Sequence, residues 1–207
     1  MRAATTILLN ALLCAPFCFA QDTAAPPVPT PAPALEPGLY AVFTTAMGPF
    51  TARLYEDKAP VAVKNFVALA KGEKAANGKT GAPVKRPYYN GLTFHRVIKG
   101  FMIQTGDVKA EGNTVCGVPN FKDEISPELK FDMVGRLAMA NTGRPNTNTC
   151  QVFITVGRSA ELNGKYTIFG QVVEGQEIVN NISKVPTGPK DKPMLPMILK
   201  TVVIERK

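Results

Sequence analysis

The stretch FHRVIKGFMIQTGD, Phe94 to Asp107, is where the reading of this chain starts. Asn90-Gly91 makes a turn into Leu92-Thr93-Phe94-His95-Arg96-Val97-Ile98, whose apolar and β-branched content predicts a strand. Arg96 stands inside that strand, and Phe101, Met102 and Gln104 follow it directly. A guanidinium set among large apolar groups is costly unless it is paired or faces a ligand. The stretch is therefore the candidate site, and the rest of the chain is read for what would hold it in place.

Strand signals surround it. Tyr40 to Phe43 and Thr51 to Tyr55 are β-prone stretches separated by Met47-Gly48-Pro49, which predicts a hairpin with its turn at the glycine. Further strands are expected at Met133 to Ala140, Gln151 to Val156, Thr167 to Val173 and Ile198 to Glu205. Helix signals are few. Pro60 opens VAVKNFVALAKG, in which Val63, Phe66, Val67 and Ala70 recur at helical spacing and Gly72 sits just past the end. A second helix fits Gly175 to Lys184, with Ile178, Val179, Ile182 and Val185 on one face. Glu73 to Pro87 is polar, contains glycine and has no periodicity, so a surface loop is expected. Many strands with only two helices predict a β-barrel or sandwich capped by helices.

Composition narrows the chemistry. The chain has 207 residues, and a hydrophobic content of 45% is enough for one core. It holds a single histidine, His95, which excludes every catalytic or metal site that needs two imidazoles, including the usual zinc protease motif. No glycine run has phosphate-loop spacing. The acidic residues Asp123, Glu124 and Glu128 cluster, which on a loop reads first as solvated surface. The net charge of +8 is spread along the chain, and no aromatic residues interleave with a basic cluster, so a basic soluble surface is expected rather than a nucleic-acid interface.

The first 20 residues have the pattern of a signal peptide. Met1-Arg2 is a short positive start, Ala3 to Leu13 is mostly apolar, and Cys18-Phe19-Ala20 precedes a cleavage position before Gln21. The apolar run is too short to span a bilayer comfortably, so no stable membrane insertion is expected after cleavage. Leu13 before Cys14 and Phe17 before Cys18 argue against a lipidated cysteine. Residues 21 to 38 carry six prolines and predict an extended, Pro-rich linker. The expected organisation is thus a leader at 1–20, a linker at 21–38 and one domain at 39–207. Export to the periplasm is expected, with full secretion as the variant reading. Cleavage would leave Cys116 and Cys150, either bridged in an oxidising compartment or as two separate buried thiols.

FHRVIKGFMIQTGD resembles the signature of the cyclophilin peptidyl-prolyl isomerases. MANTGRPNTNTCQVFIT, Met139 to Thr155, is similar to that family's second signature, and LNGKYTIFGQVVEG, Leu162 to Gly175, to its third. Order and spacing agree, and the resemblance covers Leu39 to Lys207. It implies a closed eight-stranded antiparallel β-barrel capped by two α-helices, with the active site on the outer face. It further implies isomerisation of X-Pro bonds without cofactor or metal, proline-containing polypeptides as partners, and a monomer.

Residue by residue, the resemblance makes Arg96 the catalytic arginine and puts Phe101, Met102, Phe153 and Leu162 around the proline ring. Gln104 and the backbone of Asn141 would hold the substrate main chain, with Ala140, Gln151 and Tyr166 completing the groove. His95 is expected on the opposite strand face from Arg96, as a structural residue at the edge of the substrate groove. Cys116 lies in a loop that in the family approaches the same groove as Cys150, so a disulfide there would brace its mouth.

The chemistry suits these residue types. The X-Pro bond resists rotation because nitrogen donates its lone pair to the carbonyl, with a barrier near 18 to 20 kcal/mol. A guanidinium hydrogen-bonded to the nitrogen as it becomes pyramidal favours the twisted state. Going from tens of seconds to milliseconds needs roughly 10⁴-fold, about 5.5 kcal/mol. One charge-assisted hydrogen bond contributes roughly 1.5 to 3 kcal/mol, so a dry pocket gripping the ring must supply the remainder.

Two departures matter. Glu161 stands where many members carry a tryptophan, which predicts weak cyclosporin binding without loss of isomerase activity. Arg144 is one residue more than the usual loop, which leaves Thr142 to Pro145 the part of the groove least defined by the resemblance. The alternative reading is a binding module or chaperone that holds proline segments without turnover; such a module has no physical need for Arg96.

Overall fold

The structure is a computed structural model and describes residues 35–78, 80–113 and 116–207. The expected leader, and the expected linker up to residue 34, lie outside the described residues. The chain from Leu35 to Lys207 is one compact unit. Its start is docked: the Tyr40 hydroxyl donates to the Glu36 carbonyl at 2.6 Å, and Arg53 pairs with Glu36 at 2.9 Å.

In chain order, β1 (Leu39–Thr45) and β2 (Gly48–Leu54) form the predicted hairpin. The turn itself is Ala46-Met47 rather than the glycine. The Thr45 hydroxyl accepts from the Met47 N–H and donates to the Gly48 carbonyl, so Gly48 is already the first residue of β2. Next comes α1 (Pro60–Lys71), which buries Val63, Phe66, Leu69 and Ala70. No side chain of its own caps it; the Glu124 carboxylate reaches across and accepts from the N–H groups of Val61 and Ala62 at 3.0 and 2.8 Å. Gly72 ends it at φ +73, where a β-carbon would lie 2.5 Å from the Arg86 backbone.

The segment expected as a plain loop contains a small hairpin, β3 (Ala76–Asn77) with β4 (Pro83–Val84). Two paired residues a side are too few to leave a periodic trace in sequence. The predicted strand Leu92 to Ile98 is two pieces, β5 (Leu92–Thr93) and β6 (Arg96–Ile98), interrupted at Phe94-His95. There follow β7 (Met102–Thr105), β8 (Arg136–Met139), β9 (Val152–Thr155) and β10 (Ile168–Glu174). Then come α2 (Gln176–Ile182), shorter than predicted, and β11 (Ile198–Arg206). A short 3₁₀ turn lies at Ala160–Leu162, and a tight turn with left-handed residues at Pro189–Asp191.

The mainly β fold with two helices is the expected class. In place of a closed eight-stranded barrel it is a curled nine-stranded antiparallel sheet, a half-barrel that is open rather than closed, in the order β5-β11-β1-β2-β10-β8-β9-β7-β6. The physical reason is local. The two strands at the ends of the order, β5 and β6, are successive pieces of one chain path, so they do not form a ladder with each other.

Alternation along the strands divides the residues between two faces. The concave face packs Phe43, Phe50 and Phe169 against α1, where Phe66 meets them with Tyr89 beside it, all at most 1% exposed. Their rings stack or tilt at centroid distances of 4.6 to 6.0 Å. Full burial of each such ring contributes about 1.5 to 3 kcal/mol. The convex face carries a separate small cluster of Met102, Phe131, Ala138, Phe153 and Ile168.

Candidate active site

Strand register builds the site. Along β6, β7, β9 and β8, Val97, Ile103, Ile154 and Leu137 pair in one row that points into the main core. The neighbouring row, one residue over on each strand, is Arg96, Gln104, Phe153 and Ala138. Because side chains alternate faces, this second row must emerge on the outside of the sheet. A cation, an amide and an aromatic ring are thereby set side by side at ladder spacing, about 5 Å apart.

Around that row lies a cavity of about 340 Å³, lined by His95, Arg96, Phe101, Met102, Gln104, Gly112, Ala140, Asn141, Thr142, Phe153, Leu162 and Tyr166. Every residue expected to act on or hold the substrate, except Gln151, borders it, while Cys116 and Cys150 do not. Gln151 borders an adjoining cavity of about 220 Å³ that shares Gln104, Gly112, Ala140, Asn141 and Thr142 with the first. The Gln104 amide donates to the Gln151 carbonyl oxygen at 2.7 Å, and Gln151 in turn donates to the Gly112 carbonyl at 3.3 Å.

The floor is apolar and braced from below. Phe153 stacks on Phe131 at 5.8 Å and meets Tyr166 edge-on at 5.6 Å. Phe131 is fixed by its own backbone, whose N–H donates to Asn163 and whose carbonyl accepts from Ser159. The buried Arg136 holds the flanking residues, donating to the Lys130 carbonyl at 2.8 Å and to Asp132 at 3.1 Å. That contact keeps the Asp132 carboxyl below its ordinary range. Phe131 was not legible as a site residue, because between Lys130 and Asp132 it shows no strand or helix period.

The rim is polar. The Asn141 side chain is spent on its own loop: its amide donates to the Lys165 carbonyl at 3.0 Å and its oxygen accepts from the Gly143 N–H at 3.0 Å. Asn141 borders both cavities. The loop containing Arg144 is closed by Thr147, whose hydroxyl accepts from the Thr142 N–H and donates to the Arg144 carbonyl. Asp123 clamps the same loop through Asn146 and Asn148. The acidic cluster is therefore structural: Asp123 holds the rim, Glu124 caps α1, and Glu128 pairs with Lys58 at 2.6 Å. Among the described residues, no group of three metal-ligating side chains converges.

Arg96 is half-exposed, and its Nε donates to Asp191 at 3.2 Å. His95 does not sit on a separate face. With the strand interrupted at Phe94-His95, its buried ring borders the same cavity as Arg96. Neither ring nitrogen has a hydrogen bond of good geometry. Burial pushes the imidazole below its ordinary pKa, the Asp107 charge opposes that shift, and the Arg96 charge adds to it. Cys116 and Cys150 are joined in a disulfide with Cα atoms 6.5 Å apart. Cys116 lines the second cavity, and Cys150 precedes Gln151.

The same chain matches known proteins over this whole region. Residues 40–204 match the family model described as cyclophilin type peptidyl-prolyl cis-trans isomerase/CLD. Peptidyl-prolyl cis-trans isomerase A of Mycobacterium tuberculosis is 44% identical over 170 residues, covering 79% of this chain and 91% of that one. Peptidyl-prolyl cis-trans isomerase B of Streptomyces anulatus is 44% identical over 173 residues, covering 81% and 97%. A crystal structure of a Cryptosporidium parvum cyclophilin-type isomerase, determined in the presence of the dipeptide Ala-Pro, superposes with a TM-score of 0.69 at 36% identity, covering 81% and 99%. The chain thus belongs to the cyclophilin-type peptidyl-prolyl cis-trans isomerases, a family whose chemistry needs no cofactor.

Proposed function

We propose that this isomerase turns X-Pro bonds in proteins exported from the cytoplasm, with Arg96 acting at the proline nitrogen. The observation that carries the mechanism is the registered outer row Arg96, Gln104 and Phe153 beside an apolar cavity of about 340 Å³. Met102, Phe101, Phe153 and Leu162 grip the proline ring, while Gln104 and the Asn141 main chain hold the peptide on either side. One side of the bond is then fixed and the other is free to turn. As the nitrogen becomes pyramidal its lone pair leaves the amide resonance, and an Arg96 N–H donates to it. Neither planar isomer offers that lone pair, so the interaction is made in the twisted state alone and lowers the barrier.

Support for export comes from the sequence of residues 1–20 and from the Cys116–Cys150 disulfide, a bond that persists in oxidising compartments. Gln21 as the mature N-terminus, and recovery from the periplasmic or secreted fraction, are the expected results of mass spectrometry on the expressed full-length chain. A retained leader in the cytoplasmic fraction would refute the export reading. For activity, exchange NMR on an Ala-Pro peptide should show cis–trans interconversion accelerated well beyond its uncatalysed tens of seconds. No acceleration by folded protein would leave a peptide-holding role instead.

A further inference from the structure

Arg96 can swing. It lies on the wall of the proline cavity and also of a larger one, about 630 Å³, between residues 110–113 and 189–192. Glu111, which lines that larger cavity, offers the guanidinium an alternative anion. An arginine that acts on one nitrogen atom must be kept out of that second space.

We propose that Asp191 is the positioning residue that holds Arg96 in its working rotamer; this rests on Arg96 being the catalytic group. Three observations carry it. The contact is made at Nε alone, at 3.2 Å. A guanidinium has five N–H donors, so anchoring it at Nε leaves the four terminal hydrogens for the substrate while fixing the plane of the group. A carboxylate meant to neutralise the arginine would instead take the two-pronged terminal geometry.

The second observation is backbone conformation. Lys190 and Asp191 both lie in the left-handed region, at φ +60 and +59, and neither is glycine. Two consecutive residues of that kind cost on the order of 1 to 3 kcal/mol each, and such conformations persist where the surroundings over-determine them. Here the surroundings do. The Gly188 N–H donates to the Lys192 carbonyl at 2.8 Å, Thr187 bridges to the buried Pro193, and the Met194 N–H donates to the Pro186 carbonyl at 2.9 Å.

The third is distance along the chain. Arg96 and Asp191 are 95 residues apart, and the turn that carries Asp191 packs directly on β6. The strained turn therefore aims one short acidic side chain at the reacting arginine. Lys190 and Lys192, its neighbours, line the larger cavity beside it.

The test uses the full chain with Asp191→Ala, Asp191→Asn and Arg96→Ala. Asp191→Ala should lower kcat between about fivefold, the effect of a well-made exposed ion pair, and about thirtyfold, the full rotamer freedom of an arginine. KM should stay within about twofold. Asp191→Asn keeps an acceptor oxygen for Nε and should recover to within about threefold of wild type. In ¹⁵N NMR the Arg96 Nε–H signal should be slowly exchanging in wild type and in Asp191→Asn, and broadened by solvent exchange in Asp191→Ala. Wild-type or faster turnover in Asp191→Ala, or an unchanged Nε–H signal, would overturn the proposal. Arg96→Ala separates the two claims: if it loses turnover while Asp191→Ala does not, only the positioning role fails, and if it keeps turnover, the role of Arg96 itself fails.

Discussion

Loss of the Cys116–Cys150 bridge should destabilise the domain far more than it perturbs its shape. The cysteines are 34 positions apart, so the bridge closes a loop of about 35 residues. In the chain-entropy account such a loop is worth at most about 4 kcal/mol. For a domain of this size each kcal/mol moves Tm by about 2 to 4 °C, which gives a ceiling of about 8 to 16 °C. The native positions do not depend on the bridge. The Tyr89 hydroxyl donates to the Cys150 carbonyl at 2.9 Å, the Asn77 N–H donates to the Cys116 carbonyl at 2.7 Å, and Gly106 at φ +95 packs where a β-carbon would lie 2.6 Å from the Cys150 oxygen. The effect should therefore fall on the unfolded chain. Thermal unfolding of the oxidised protein, the reduced protein and the Cys116→Ser/Cys150→Ser variant checks this. The last two should coincide, well below the first, with Ala-Pro turnover at low temperature nearly unchanged. A shift under about 3 °C, or a collapse of turnover in the folded double variant, would refute the reasoning.

Three further outcomes follow from the structure. Glu124→Ala removes the carboxylate that caps α1 and should cost about 0.5 to 2 kcal/mol in denaturant unfolding, with turnover preserved. The imidazole of His95 has its pKa lowered by burial, so the unfolded chain binds a proton more readily than the native one; stability should fall as pH drops below about 6.5, and His95→Gln should abolish that component of the pH dependence of Tm. Glu161, in the turn beside Leu162, should keep cyclosporin binding weak, and Glu161→Trp should tighten it in a calorimetric titration while leaving isomerase turnover unchanged.

Much of the site was legible because its chemistry is written into neighbouring residues. Arg96, Phe101, Met102 and Gln104 fall within nine positions of one another, and a buried-looking arginine is a signal that apolar periodicity cannot absorb. Helices were legible for similar reasons: Pro60 and Gly72 bracket α1, and Gly175 marks the start of α2. What joins distant segments was not. The register that puts Gln104 beside Phe153 is set by ladder pairing, which leaves no trace in either segment alone. Asp191 sits in a turn whose neighbours are prolines and lysines, and nothing in GPKDKP points to an arginine 95 residues earlier. Phe131 and Asp123 were unreadable for the same reason, each acting through a contact more than 20 residues away. The open ladder is a further case: the run Leu92 to Ile98 looks continuous, yet the interruption at Phe94-His95 turns one expected strand into two sheet ends and brings His95 to the cavity.

The most direct test of catalysis by Arg96 measures binding and turnover on the same sample. NMR line shapes of an Ala-Pro peptide titrated with wild type and with Arg96→Ala give both Kd and the on-enzyme exchange rate. Removing a charge-assisted hydrogen bond made only in the twisted state should slow exchange by about 10- to 150-fold, the equivalent of roughly 1.5 to 3 kcal/mol, with Kd changed by less than about threefold. A weakened Kd with undiminished on-enzyme exchange in Arg96→Ala would mean that Arg96 only binds, and would contradict the mechanism outright.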